Sequence, residues 1–133
     1  MRGKYLNNKK HIKGAKQMIA HVTVRTAKLK ETLEFYNWLL GLTVAYKFDV
    51  PSGEILFLGE NETKFELIED SKAEKINAKG ITIGFLVDNL DEKIAMLDEK
   101  LIQHSEIISP EPNIRFAFFN DLNGCEIQLF ERG

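Results

Sequence analysis

The sequence predicts an α+β fold made of two tandem βαβββ units. Two observations carry this. A helical stripe recurs at a fixed offset: Leu29, Leu33, Tyr36 and Leu40 return 61 residues later as Leu90, Ile94, Leu97 and Leu101. The unit endings recur as well, "FELIE" at 65–69 lying over "IQLFE" at 127–131, shifted by 62. An internal duplication of this length outweighs any single motif as a sign of architecture.

Each element follows from local pattern. In 19–25, Ala20, Val22 and Val24 alternate with His21, Thr23 and Arg25, the period of a half-buried strand. The stripe of spacing four, three and four over about 27–40 is helical, and Gly41 supplies the stop. Three strands follow, over 43–50, 54–59 and 63–69, with turns at 51–53 and 60–62. A polar loop, 70–79, leads to a strand over 81–87. Asn89 then has the spacing to Glu92 of a capping box ahead of the second helix. The last strands are expected near 106–109, 114–119 and 125–131, with Asp121–Gly124 as a hairpin turn.

Strand parity sorts the side chains. Val22, Val24, Phe65, Leu67, Ile83, Phe85, Ile127 and Leu129 form the face that each helix covers. His21, Glu66, Thr82 and Gln128 fall on the opposite face. If a pseudo-twofold axis relates the units, these four converge on one concave, cleft-forming sheet surface, the usual place for a small ligand.

Composition narrows the function. The 133 residues are 44% hydrophobic, enough for one domain with a core. No apolar run approaches the roughly 18 residues of a membrane helix, so no membrane partner is expected. Residues 1–17 hold six Lys/Arg and no acid, leaving 12 basic against 20 acidic residues and a net charge of −8 elsewhere. An acidic body argues against a nucleic-acid partner. The basic segment 1–17 is expected to be a disordered tail that packs little. Met18 is then a candidate start, and 18–133 a single domain with units at 18–70 and 80–132. A lone Cys125 and the lack of a signal-peptide h-region point to a reducing, cytoplasmic setting. Cys125 itself is expected on the ligand-facing parity as a small, inert thiol, and His104 as a solvated side chain.

In "IAHVTVRTAKLKETLEFYNWLLGL", "TKFELIE", "GFLVDNLDEKIAML" and "FNDLNGCEIQLFE" the chain resembles the vicinal-oxygen-chelate superfamily of glyoxalase I, bleomycin-resistance proteins and extradiol dioxygenases. The resemblance spans about 19–131 and implies a glyoxalase/bleomycin-resistance-like fold and a homodimer. In glyoxalase-like members the metal ligands come from the first and last strands of each unit. Carried over, those positions are His21, Glu66, Thr82 and Gln128. His21 and Glu66 match the pattern; Thr82 stands where a histidine is usual and Gln128 where a glutamate is usual.

The resemblance therefore implies His21, Glu66 and Gln128 as metal donors, and Thr23, Arg25, Thr82 and Phe130 as residues lining the cleft. Imidazole, carboxylate and a neutral amide oxygen suit a weakly held divalent ion such as zinc, nickel, cobalt, manganese or iron, or no metal at all. Glu66 has two alternative partners in Arg25 and Gln128, since a carboxylate between Phe65 and Leu67 needs one. Three readings stay open: a metal-dependent lyase or isomerase, a metal-free protein that binds or sequesters a small molecule as in antibiotic resistance, and an accessory module. An extradiol dioxygenase is disfavoured, because its two-histidine set lacks the histidine at Thr82.

Overall fold

A computed structural model of the chain describes residues 17–60 and 62–133. The tail expected over 1–17 lies outside the described residues but for Gln17, as does Asn61 of the turn expected at 60–62. The first unit runs β1 (His21–Thr26), α1 (Leu29–Leu40), β2 (Val44–Val50), β3 (Gly53–Leu58) and β4 (Lys64–Glu69). The second repeats it as β5 (Ile83–Leu86), α2 (Leu90–Glu99), β6 (Ile108–Glu111), β7 (Ile114–Asn120) and β8 (Glu126–Arg132). Each unit makes one four-stranded sheet, in the orders β1-β4-β3-β2 and β5-β8-β7-β6, with the first and last strands of the unit parallel.

The helix ends obey the sequence signals. Gly41 takes φ 69° and its N–H closes on the Asn37 carbonyl, a left-handed conformation that glycine adopts without steric cost. The Asn89 side chain accepts the Glu92 N–H at 3.0 Å. The strand boundaries move by one or two residues from expectation, and two of the shifts have a local cause or consequence. The sixth strand is 108–111 rather than 106–109, because Ser105 takes up the Phe118 backbone before pairing of the regular kind begins. Strand β5 starts at Ile83, so Thr82 precedes it.

One core unites the units. It contains Val24, Leu56 and Leu67 of the first sheet, Ile127 and Leu129 of the second, and Leu39 and Leu97 of the helices. Helix α1 touches both sheets: the Tyr36 ring meets Phe65 at 4.9 Å and Phe85 at 5.9 Å, and Phe35 meets Phe119 at 5.9 Å. The polar joint is equally shared. The Tyr36 hydroxyl donates to Asp121 Oδ2 at 2.5 Å, and Thr26 donates to Asn123 at 2.7 Å. Both pairs tie the first unit to the β7–β8 turn. That turn lies under the linker, where a Cβ on Gly124 would come within 2.5 Å of the Ile76 carbonyl oxygen, so only glycine fits.

Cys125 shares its parity with Ile127 and Leu129 and sits in the core, on the helix side rather than the ligand-facing side. Burial and the nearby Asp121 push its thiol up to about 11, the inert state expected of it. His104 is not a solvated side chain. Its Nδ1 meets the Ser105 carbonyl and its Nε2 meets Asp98, each at 2.6 Å, and these acceptors raise its pKa by favouring the doubly protonated ring. It thereby ties the end of α2, through Asp98, to the segment that bridges to β7 at Phe119. Among the described residues no helix is long and apolar enough to cross a membrane.

Candidate functional site

Parallel pairing of β1 with β4 sets Thr23 directly opposite Glu66. Both therefore point to the same sheet face, as does His21 two residues before Thr23. The Thr23 hydroxyl donates to Glu66 Oε1, and His21 Nε2 lies 3.4 Å from the same oxygen. Glu66 is 8% exposed, so these partners offset much of the cost of withdrawing a carboxylate from water. Neither Arg25 nor Gln128, the two partners considered from sequence, is hydrogen-bonded to it among the described residues. Arg25 shares the face with Thr23 and opens instead on a shallow recess with Asp70 and Glu74.

The aromatic surroundings of this group were not singled out from sequence. Phe57 is register partner to both Glu66 and Tyr46, and Phe48 lies one pleat further along β2. His21 meets the Phe57 ring edge-on at 5.4 Å, and Tyr46 stacks on Phe57 at 4.7 Å. The signal was present: Tyr46 and Phe48 share a parity, and the turn at 51–53 sets their register against β3.

On the second sheet Gln128 pairs with Gly84 on one side and Phe118 on the other. Gly84 leaves the amide uncovered, since a Cβ there would stand 3.2 Å from Gln128 Oε1. Phe130 lies two residues on, between Leu86 and Phe116. Thr82 donates its hydroxyl to Glu126, another residue that sequence reading passed over, although it shares the parity of Gln128.

The structure thus brings the candidate residues together as two groups, one per sheet. His21, Thr23 and Glu66 form one; Thr82, Gln128 and Phe130 lie on the other. Because the helix-covered faces of both sheets supply one core, the two polar faces are turned away from that core. No hydrogen bond or ion pair among the described residues joins the groups within the chain. A cavity of about 650 Å³ does lie between the units, but Val22, Leu40, Phe65, Ile83 and Phe85 line it, so it is on the helix side.

The fold family implies a divalent ion, and His21 and Glu66 have the donor chemistry and spacing to hold one. Two ligands at the usual zinc distances of about 2.0–2.2 Å in tetrahedral array sit roughly 3.3–3.6 Å apart. The 3.4 Å between His21 Nε2 and Glu66 Oε1 accommodates one shared ion. Among the described residues no three His, Cys, Asp or Glu side chains gather as a metal cluster.

Two like units, each with a sheet whose polar face is open, define the architecture of a known class. The sequence model of the Glyoxalase/Bleomycin resistance protein/Dioxygenase superfamily matches residues 18–129, and the chain belongs to that family. Solved structures share the fold. The trypanothione-dependent glyoxalase I of Leishmania major superposes with a TM-score of 0.74 at 22% identity, covering 87% of each chain. The fosfomycin resistance protein FosX of Listeria monocytogenes gives 0.68 at 13% identity, covering 87% of this chain and 93% of that one. An antibiotic-binding protein from a Streptomyces species gives 0.66 at 18% identity, covering 90% and 98%. The sequence has no significant match among curated proteins.

Proposed function

We propose that the protein binds a small organic molecule in a cleft built from two copies of the chain. The observation that carries this is the recessed Glu66, held by His21 and Thr23 on an open sheet face. In this reading the first sheet of one copy stands beside the second sheet of the other, and the twofold axis makes two equal clefts. The edges support it. Among the described residues strand β1 pairs only with β4, and β5 only with β8. Ile19, Val22, Ile81 and Leu86 stand exposed along those edges. Unpaired edges with exposed apolar side chains are surfaces that a second chain covers. The polar groups of the cleft would then be His21, Thr23, Arg25 and Glu66 from one copy, with Thr82 and Gln128 from the other.

Binding or sequestering without metal is favoured by the donor chemistry. Two of the four ligand positions carry Thr82 and Gln128, and Thr82 is already engaged by Glu126. The spacing of His21 and Glu66 favours a second reading, a metal-dependent lyase or isomerase. There His21, Glu66 and Gln128 would hold a divalent ion, which when bound polarises a carbonyl oxygen. For either reading we propose a reducing, cytoplasmic setting, which the free buried thiol of Cys125 supports.

Elemental analysis of protein purified without chelator or histidine tag separates them. The expected result is well under one ion per chain, unchanged in Glu66→Gln. A near-stoichiometric metal that Glu66→Gln releases would replace the binding reading with the lyase reading.

A further inference from the structure

We propose that Asn123 is the site of a self-directed modification that the fold holds off. When the joint between the units opens, the Gly124 nitrogen attacks the Asn123 side-chain amide, and the acid that results bars the joint from closing again. The 133 residues contain a single Asn–Gly pair, at 123–124. Glycine has no Cβ to crowd its own nitrogen, so this dipeptide lets the backbone reach the preceding side chain most readily. The step needs only water. The Gly124 nitrogen bonds to Asn123 Cγ and closes a succinimide ring; the Cγ–Nδ2 bond breaks, and ammonia leaves with the proton of that nitrogen. Water then opens the ring to aspartate or, at the other carbonyl, to isoaspartate.

The folded chain restrains every participant. Asn123 Oδ1 accepts from the Thr26 hydroxyl at 2.7 Å, and its Nδ2 donates to Thr32 Oγ1 at 3.0 Å. The peptide that supplies the nucleophile is pinned on both sides. The Gly124 N–H donates to the Asp121 carbonyl at 3.0 Å, and the Asn123 carbonyl accepts the Ile76 N–H at 2.7 Å. Attack needs that nitrogen deprotonated and aligned on Cγ. The side-chain bonds and the Gly124–Asp121 bond must therefore break first. Burial of Asn123 also keeps water from the ring.

The same contacts make the change one-way. Thr32 spends its hydroxyl proton on the Lys28 carbonyl at 2.7 Å, so towards Asn123 it can only accept. An amide meets it with N–H; a carboxylate has none. The new charge would also stand near the Asp121 carboxylate, which already accepts the Asn123 N–H at 2.9 Å. A buried anion facing an acceptor and a second anion costs more than the bond it replaces. Isoaspartate further lengthens the main chain, in a turn where the Ile76 carbonyl leaves no room for a Cβ on Gly124. Modification of the open chain thus turns reversible unfolding into irreversible loss.

The test incubates full-length wild-type protein in mildly alkaline buffer with and without guanidinium chloride. Each sample is then returned to native buffer, fractionated by size exclusion and digested for mass spectrometry. The unfolded sample should gain the mass of amide-to-acid conversion at Asn123 at least about tenfold faster than the native one, because buried sites open rarely. In the unfolded chain Asn123 should also convert ahead of Asn77, which is exposed in the fold and precedes Ala78. Modified chains should be missing from the refolded fraction. Equal rates in the two samples, or Asn77 leading in the unfolded one, overturn the site. Modified chains that refold overturn the barrier to closure. Asn123→Asp, made directly, should fail to refold or unfold at lower denaturant, and a wild-type midpoint would count against that barrier equally.

Discussion

Wild-type protein is expected to turn over the methylglyoxal–glutathione hemithioacetal far below the ordinary enzyme range of about 1–1000 per second, even with added nickel, cobalt or zinc. That isomerisation takes a proton from one carbon and returns it to its neighbour. It needs a carboxylate base within hydrogen-bond reach as well as a metal. The family resemblance puts Gln128 at the position of that base, and a neutral amide has no useful basicity near pH 7. Loss of a general base costs about a hundredfold to ten-thousandfold in rate. Thr82 removes an imidazole from the ligand set too, and the Thr82 hydroxyl is turned to Glu126. The informative comparison is Thr82→His combined with Gln128→Glu. A rise confined to the double variant would show that the scaffold accepts the chemistry and the wild type lacks the groups for it. Wild-type turnover in the ordinary range would show that the base has been misassigned.

The second large effect falls on stability. Asp121 is 5% exposed and its carboxylate accepts the backbone N–H groups of Asn123 and Cys125, each at 2.9 Å, as well as the Tyr36 hydroxyl. Asp121→Ala strands all three donors in the core. Each unsatisfied group costs about 1–3 kcal/mol, so the loss should reach about 3–5 kcal/mol, a large part of the roughly 5–15 kcal/mol typical of a folded domain. Tyr36→Phe removes one donor and should cost about 1–3 kcal/mol. Because the two touch, the double variant should lose less than the sum. Urea unfolding at one fixed protein concentration measures this through the midpoint. A loss under about 1 kcal/mol for Asp121→Ala would mean that the Tyr36–Asp121 joint does not hold the units together.

The elements and their faces were legible because each depends on a short stretch of chain. The stripe Leu29–Leu40, the stop at Gly41 and the cap at Asn89 all act within one or two turns. Strand parity put His21 and Glu66 on one face, and the β1–β4 register does so too. What parity leaves open is the partner of an apolar face. The duplication suggested that each helix covers its own sheet, as both do, and that the polar faces converge only if a pseudo-twofold axis relates the units. In the structure α1 packs on both sheets through Tyr36 and Phe35, so the polar faces are turned outward from a common core. Tyr36 with Asp121, 85 residues apart, has no local signature. The Thr82–Glu126 and Thr23–Glu66 contacts likewise arise only once register is fixed.

Cross-linking tests the shared cleft most directly. In a Cys125→Ala background, His21→Cys in one chain and Gln128→Cys in another are mixed, unfolded together, refolded and treated with a short bismaleimide. The two-copy cleft predicts a product at twice the chain mass in the mixture, and much less from either variant alone. A chain carrying both substitutions that links internally, with no product at twice the mass from the mixture, would contradict it.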